Sequence, residues 1–187
     1  QGKTLLLNSP SPNRADYISL PAGASNLVVN VNGTAQNFAA PNLVAGTDYT
    51  LLLYGTQANP LLNVLVDDNR LPTTTGNVKI RLINALSGNN PLASLVVDYT
   101  TLASNVQAGA SSTPAMISSS TGSTVQITSP LLANPLYNPG ANGSTTSLTP
   151  LVANGVYTAL IMGDSTVNTA TTPPTMPGAT GMFIKDR

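Results

Sequence analysis

The chain has 187 residues, enough for a substantial core, but carries no net charge and only 7% charged side chains. It has no Lys/Arg cluster to neutralise phosphates, so we expect no nucleic-acid partner. All seven acidic residues are Asp, and Glu, His, Cys and Trp are absent. The abundance of Ser, Thr, Asn, Gly and Pro indicates an all-β protein.

Short apolar runs of strand length follow one another along the chain, with Gly, Pro, Asn or Asp in most gaps. No stretch keeps a 3.6-residue apolar period, and no run approaches the roughly 20 residues of a transmembrane segment. Strands at this spacing indicate a sandwich or a partly open barrel. In chain order the predicted strands are residues 4–7, 17–20, 27–31, 49–54, 62–66, 78–83, 95–99, 115–118, 124–127, 156–162 and 182–184.

The chain also contains an internal repeat. Residues 43–55 read LVAGTDYTLLLYG, and residues 151–163 read LVANGVYTALIMG. Because further echoes occur in the same order, the pattern predicts two tandem β-sandwich repeats of the Ig-like or Greek-key type, over residues 1–72 and 77–187. The further echoes are residues 16–23 with 115–122, and residues 64–70 with 182–187.

The first copy begins partway through the repeat. Residues 2–7 align with residues 99–104, so the first copy lacks the equivalents of residues 78–83 and most of residues 95–99. The second copy is complete and carries two insertions rich in Pro, Thr, Asn and Gly, which we expect to be loops. These insertions lie near residues 130–149 and 165–180.

Several of these segments resemble the bacterial domain of unknown function 4397. Residues 78–85 (VKIRLINA) are similar to the opening strand of that family, and residues 94–99 (SLVVDY) with 102–106 (LASNV) are similar to its next strand and the segment after it. Residues 15–23 and 45–55 match two further segments of the family. The resemblance implies tandem β-sandwich repeats in a secreted or surface-attached protein, and it supplies no catalytic residues.

The missing residue types exclude most catalytic and metal chemistry. Without His or Cys there is no Ser-His-Asp or Cys-His arrangement and no usual zinc, copper or iron-sulfur ligand set. Most of the Asp residues lie at strand ends, where Asp commonly caps turns. We therefore expect no enzyme, no catalytic residues, no cofactor and no metal, although an Asp-based hydrolase remains an alternative.

One acidic cluster, Asp67-Asp68-Asn69, could in principle hold calcium through its oxygen atoms. It lacks the D-x-D-x-D-G spacing and the bidentate Glu of a calcium loop. We therefore expect a solvated turn at this place rather than weak calcium binding.

The incomplete first copy suggests a function. A sandwich without some of its strands exposes backbone groups, and each such group costs about 1–3 kcal/mol if it is buried unpaired. A neighbouring chain can supply a strand, and a head-to-tail contact of this kind generates fibres. The sequence thus predicts a structural subunit of a filament or sheath whose partners are copies of itself. The candidate assembly edges are Thr4, Leu5, Leu6, Leu7, Met182, Phe183 and Ile184.

A second hypothesis is a cell-surface module that binds glycans or another protein through the loops of the second copy. Tyr residues could stack on sugars, but their positions in or beside strands favour core and cross-strand roles. The start at Gln1 rather than Met indicates a processed, extracellular protein, while a fragment is the other explanation of the missing strands. The Tyr residues considered are Tyr49, Tyr54, Tyr99, Tyr137 and Tyr157.

Overall fold

A computed structural model describes residues 17–31, 33–56, 58–89, 92–139 and 148–187. Every regular element in these ranges is a β-strand, which confirms the predicted all-β class. The chain divides between Thr47 and Asp48 into two compact units.

In its described residues, the first unit contains an antiparallel hairpin formed by β1 (Gly23–Val31) and β2 (Thr34–Leu43). At its turn Gly33 has a φ of +85°, a left-handed conformation that tight hairpin turns require and that glycine adopts without strain. The apolar pattern predicted β1 but missed β2, whose Ala, Asn and Gln residues form no apolar run.

One predicted strand does not appear in the described residues, and another cannot be compared with them. The prediction of a strand over residues 17–20 is wrong: this segment has no strand conformation, and Ile18 and Leu20 are exposed. Pro21 comes directly after it and lacks a backbone donor, so an apolar run alone does not stabilise a strand here. The strand predicted over residues 4–7 lies outside the described residues.

The second unit contains twelve strands in the residues that the structure describes. They are β3 (Asp48–Thr56), β4 (Asn59–Asp67), β5 (Asn77–Ser87), β6 (Ala93–Val97), β7 (Thr100–Val106), β8 (Ala110–Ser111), β9 (Ala115–Ser118), β10 (Ser120–Ser123), β11 (Val125–Thr128), β12 (Thr149–Leu151), β13 (Val156–Asp164) and β14 (Ala179–Lys185).

These strands form two main sheets. The first has the order β14-β13-β5-β8, with β9 also paired to β5, and β13 runs parallel to β5. The second has the order β11-β6-β7, and β10 pairs separately with β12. The turn between β6 and β7 places Asp98 and Tyr99 at positive φ, so the strand ends before the predicted residue 99.

The hydrophobic core lies between the two sheets, as in a β-sandwich. Every second residue of β5 and β13 points into it, as the pleat of a strand requires. Residues 165–178, inside the second predicted insertion, contain an isolated bridge between Asn168 and Thr175 but no strand. The core residues from the first sheet are Val78, Ile80, Leu82, Leu86, Tyr157, Ala159 and Ile161, and those from the second are Ala93, Leu95, Val97, Val106, Val125 and Ile127.

The β3–β4 hairpin forms a third layer. It packs on the outer face of the first sheet, the face that points away from the core, with β3 against β5 and β4 against β8. Strand β5 is consequently buried on both faces. The predicted domain limits at residues 72 and 77 stay a prediction. They rest on repeated sequence, whereas the two compact units are defined by packing.

Candidate functional site

A polar network fastens the hairpin to the first sheet. Its centre is Arg81, whose side chain points to the outer face of β5 and is only 8% exposed. Arg81 forms an ion pair with the buried carboxylate of Asp67 at the end of β4. Thr50 on β3 donates its hydroxyl to both oxygens of Asp67, at 2.7 and 2.9 Å. The buried guanidinium therefore has a negatively charged partner, and their interaction offsets the free-energy cost of removing the charge from water.

The same guanidinium also contacts the first sheet itself. Arg81 Nε donates to the hydroxyl oxygen of Thr158 at 2.9 Å, and that hydroxyl donates to Asp186 at 2.6 Å. Thr50 and Thr158 each stand on the first strand of an antiparallel pair. Each bonds the Asp that lies two residues beyond its own cross-strand partner. Arg81 thus lies between two equivalent Thr–Asp pairs.

A second cation supports this attachment. Lys79, two residues before Arg81, forms an ion pair with Asp68 at 2.7 Å and donates to the backbone oxygens of Asp68 and Arg70. The side-chain hydrogen bond from Arg70, and after it that from Lys79, holds the pKa of Asp68 well below its usual range. Both cations of β5 are therefore engaged by the segment at the end of β4.

The interpretation of Asp67-Asp68-Asn69 as a solvated turn is wrong for Asp67. Its side chain is fully buried against Arg81, because the hairpin folds over β5 and brings the strand end inside. A calcium ion at these carboxylates would have to displace the cations of β5. The described residues contain no group of three or more His, Cys, Asp or Glu side chains placed to hold a metal.

Apolar contacts complete the attachment. Leu52 of β3 packs with Ile83 and Ala85 of β5, and partly buried residues of both strand pairs surround them. Counted from Thr50 and Thr158, Leu52 corresponds to Leu160 and Tyr54 to Met162, and all four belong to this cluster. The two strand pairs thus face each other through corresponding positions.

The edge of β3 opposite β4, here called the open edge, distinguishes the two strand pairs. In the described part of the chain, β4 is the one strand that hydrogen-bonds to β3. The corresponding strand β13 pairs with β14 on one side and with β5 on the other. In β13 the second edge is thus filled by a parallel strand.

The side chains of β3 that point away from β5 are also more exposed to solvent than the corresponding side chains of β13. Leu51 is 41% and Leu53 is 38% exposed, whereas the corresponding Ala159 and Ile161 are fully buried in the core. On β4, Val66 is 65% exposed on the same face. An apolar face that is buried in one strand pair is therefore open to solvent in the other.

The predicted site residues on β14 lie on both faces of an outer strand. Phe183 points to the core and stacks on Tyr157, with ring centroids 5.2 Å apart. By register, Met182 and Ile184 point to the outer face, beside Leu160 and Thr158, and are half-buried. The other predicted edge residues, Thr4, Leu5, Leu6 and Leu7, lie outside the described residues.

The tyrosines that could have served as a sugar-binding platform are mostly engaged in packing. Tyr157 and Tyr137 belong to the core, and burial raises the pKa of Tyr137. Tyr54 belongs to the cluster beneath the hairpin, and Tyr49 pairs with Val66 across it. Tyr99, at the turn between β6 and β7, is 92% exposed.

Replacing Asp67 tests the network. We expect Asp67→Ala to lower the free energy of unfolding by about 3–5 kcal/mol, because it leaves the Arg81 guanidinium buried without its counter-charge. Asp164→Ala is the control: this exposed carboxylate bonds only Thr166 in the described residues, and its loss should cost less than about 1 kcal/mol. Urea denaturation measures both. Equal losses would contradict the assigned role of Asp67.

The low pKa of Asp68 predicts a pH dependence. A carboxyl group with a lower pKa in the folded state stabilises the fold above its unfolded pKa of about 3.9, and this stabilisation is lost as pH falls through the folded value. The difference in free energy of unfolding between the wild type and Asp68→Asn should therefore shrink between about pH 6 and about pH 2.5. A difference that is constant over this range, measured by urea denaturation, would contradict the assignment.

Comparison with known families covers the first half of the chain. Residues 2–93 match the family model described as Domain of unknown function (DUF4397). No curated protein matches the chain. The described residues include no helix long and apolar enough to span a membrane. The matched segment contains the β3–β4 hairpin and β5, and hence both sides of the Arg81–Asp67 ion pair. The resemblance predicted from the sequence is confirmed for residues 2–93, which are similar to the domain of unknown function 4397.

Proposed function

We propose that the protein is an extracellular structural subunit, without catalytic activity, that assembles head-to-tail into a filament or sheath. The observation that carries the proposal is the open edge of β3, whose counterpart on β13 is filled by a parallel strand. A strand from a second copy of the chain would pair with this edge. Its side chains would cover Leu51 and Leu53, which are exposed in the single chain.

The repeated sequence supports this proposal. The equivalent Thr–Asp pairs, Thr50 with Asp67 and Thr158 with Asp186, agree with two tandem copies in which β3–β4 corresponds to β13–β14. In the second copy, the strand beside β13 is β5. Among the described residues no strand takes the corresponding place beside β3, and the proposed assembly supplies one from another chain.

The expected gain in free energy is sufficient for a specific contact. Each main-chain hydrogen bond between strands contributes about 0.5–1.5 kcal/mol net, and an apolar side chain that becomes fully buried adds about 1.5–3 kcal/mol. Because the contributing and receiving segments differ, the contact does not close on itself and each added copy presents a new open edge. Low charge also reduces repulsion between the copies.

Deleting residues 1–7 tests the assembly. The segment contains one of the two predicted assembly edges, so we expect the truncated protein to form no filaments in negative-stain electron microscopy, whereas the full chain does. The strands of the second unit do not include these residues, so circular dichroism should show a folded β-protein. Normal filaments from the truncated protein would contradict strand complementation by this segment.

A point substitution provides a matched control for the same assay. Leu51→Lys places a charge on the face beside the open edge and should block filament growth, as lysine does on natural edge strands. Val152→Lys introduces the same charge at a similarly exposed residue between β12 and β13 and should leave growth unchanged. Equal effects of the two substitutions would indicate a general charge effect.

A wild-type monomer that never polymerises but binds a glycan saturably would instead favour the surface binding module.

A further inference from the structure

The turn between β6 and β7 holds a tyrosine in a backbone conformation that tyrosine rarely adopts. Asp98 has a φ of +45° and Tyr99 a φ of +65°, the left-handed values that a type I′ turn between antiparallel strands requires at both central positions. Of the four non-glycine residues at positive φ in the described ranges, three are Asp or Asn, whose short polar side chains tolerate this region. Glycine would fit position 99 without strain, so turn geometry does not account for a tyrosine there.

Packing within the chain does not account for it either. The Tyr99 side chain is 92% exposed, more than any other large apolar side chain in the described residues. Its ring takes no part in the aromatic stack found in these ranges, which joins Tyr157 and Phe183. A residue with a strained backbone and a side chain that the fold does not bury indicates a role in binding.

The turn that carries this ring is fixed to the neighbouring connection between β10 and β11. The backbone nitrogen of Asp98 donates to the backbone oxygen of Thr124 at 3.1 Å. In return, Oδ1 of Asp98 accepts from the backbone nitrogen of Thr124 at 2.8 Å and from its hydroxyl at 3.1 Å. The backbone beside the ring is therefore ordered before any ligand arrives, which lowers the entropy cost of binding.

The groups around the ring define the chemistry of a ligand. Both bonds from Thr124 to the carboxylate of Asp98 go to Oδ1, so in the described part of the chain Oδ2 is left to accept from a ligand. Tyr99 is the next residue, with its Cα about 3.8 Å from that of Asp98. Thr100 and Thr101, which follow, are exposed and add hydroxyl groups. An aromatic face thus lies beside a carboxylate acceptor and two hydroxyls.

A neutral saccharide matches these groups. Its apolar C–H face packs on an aromatic ring, while its hydroxyls donate to a carboxylate oxygen. An acidic saccharide would be repelled by Asp98. A protein contact is less well matched, because aromatic anchors of protein interfaces lie in well-packed pockets that exclude water, whereas the residues next to Tyr99 are polar and exposed.

We propose that Tyr99 and Asp98 form a binding site for a neutral saccharide. Tyr99 stacks on one sugar ring, and Oδ2 of Asp98 accepts a hydrogen bond from a hydroxyl of the same or the adjoining sugar. The site goes beyond the proposed function, because it uses no contact between copies of the chain.

Replacing Tyr99 by glycine tests the site, because this change removes the ring and also relieves the backbone strain. The matched control is Asn154→Gly, which makes the same relief at another residue of positive φ. The neutral probes are cellopentaose, maltopentaose and mannopentaose, and a pentamer of galacturonic acid is the acidic probe. Saturation-transfer NMR on the full chain measures binding, and thermal unfolding measures stability.

We expect the wild type and Asn154→Gly to bind the neutral pentamers and not the acidic one, and Tyr99→Gly to lose this binding. The unfolding midpoint of Tyr99→Gly should rise by about 2–4 °C, so that loss of structure does not explain the lost binding. Binding retained by Tyr99→Gly, or a wild type that binds none of the neutral pentamers, would overturn the inference. So would equal binding of the acidic pentamer.

The same variants separate this inference from the proposed function. Wild-type filaments without saccharide binding would overturn the site and leave the assembly standing. Saccharide binding without filaments would do the reverse. If Tyr99→Gly stopped filament growth and the wild type bound no saccharide, Tyr99 would be a contact between copies and the saccharide site would be wrong.

Discussion

The burial of Arg81 beneath the hairpin is the constraint on which the second unit depends. An arginine in a strand that is covered on both faces needs a neutralising charge close to it, and Asp67 supplies that charge from the end of β4. Lys79 adds a second cation whose partners, Asp68 and Arg70, lie in the same short segment. The hairpin is therefore held in register over β5 by charge, and the apolar contacts of Leu52 and its neighbours result from that placement.

Because the hairpin lies over β5, the corresponding strands β13 and β3 have different surroundings. β13 is surrounded: it has strands on both sides, a core beneath it and a cluster of apolar side chains above it. β3 has the same sequence character, but within the described residues it has a strand on one side. β3 thus has the residue pattern of a fully enclosed strand, although two of its leucines are exposed to solvent. This mismatch supports the proposed assembly more directly than the composition does.

The sequence predicted those parts of the fold that rest on apolar runs. β3, β4, β5, β13 and β14 were each indicated by such a run, whereas β2 and β7 were missed because Thr, Ser, Asn and Ala dominate them. The polar network around Arg81 was harder to predict from the sequence. Cations at positions 79 and 81 of an otherwise apolar strand indicate a solvated face, and an Asp pair at a strand end indicates a turn. Only the packing of the hairpin, which joins residues distant in the chain, shows that these groups neutralise each other.

The position of the hairpin has a practical consequence for where the protein should be cut. The predicted repeat places a boundary between residues 72 and 77, but a piece that begins there would carry Arg81 and Lys79 on an uncovered sheet without their carboxylate partners, Asp67 at the end of β4 and Asp68 directly after it. A piece that begins at Asp48 keeps each cation with its partner and keeps both faces of β5 covered. The predicted sequence repeat and the compact unit are therefore different segments of this chain.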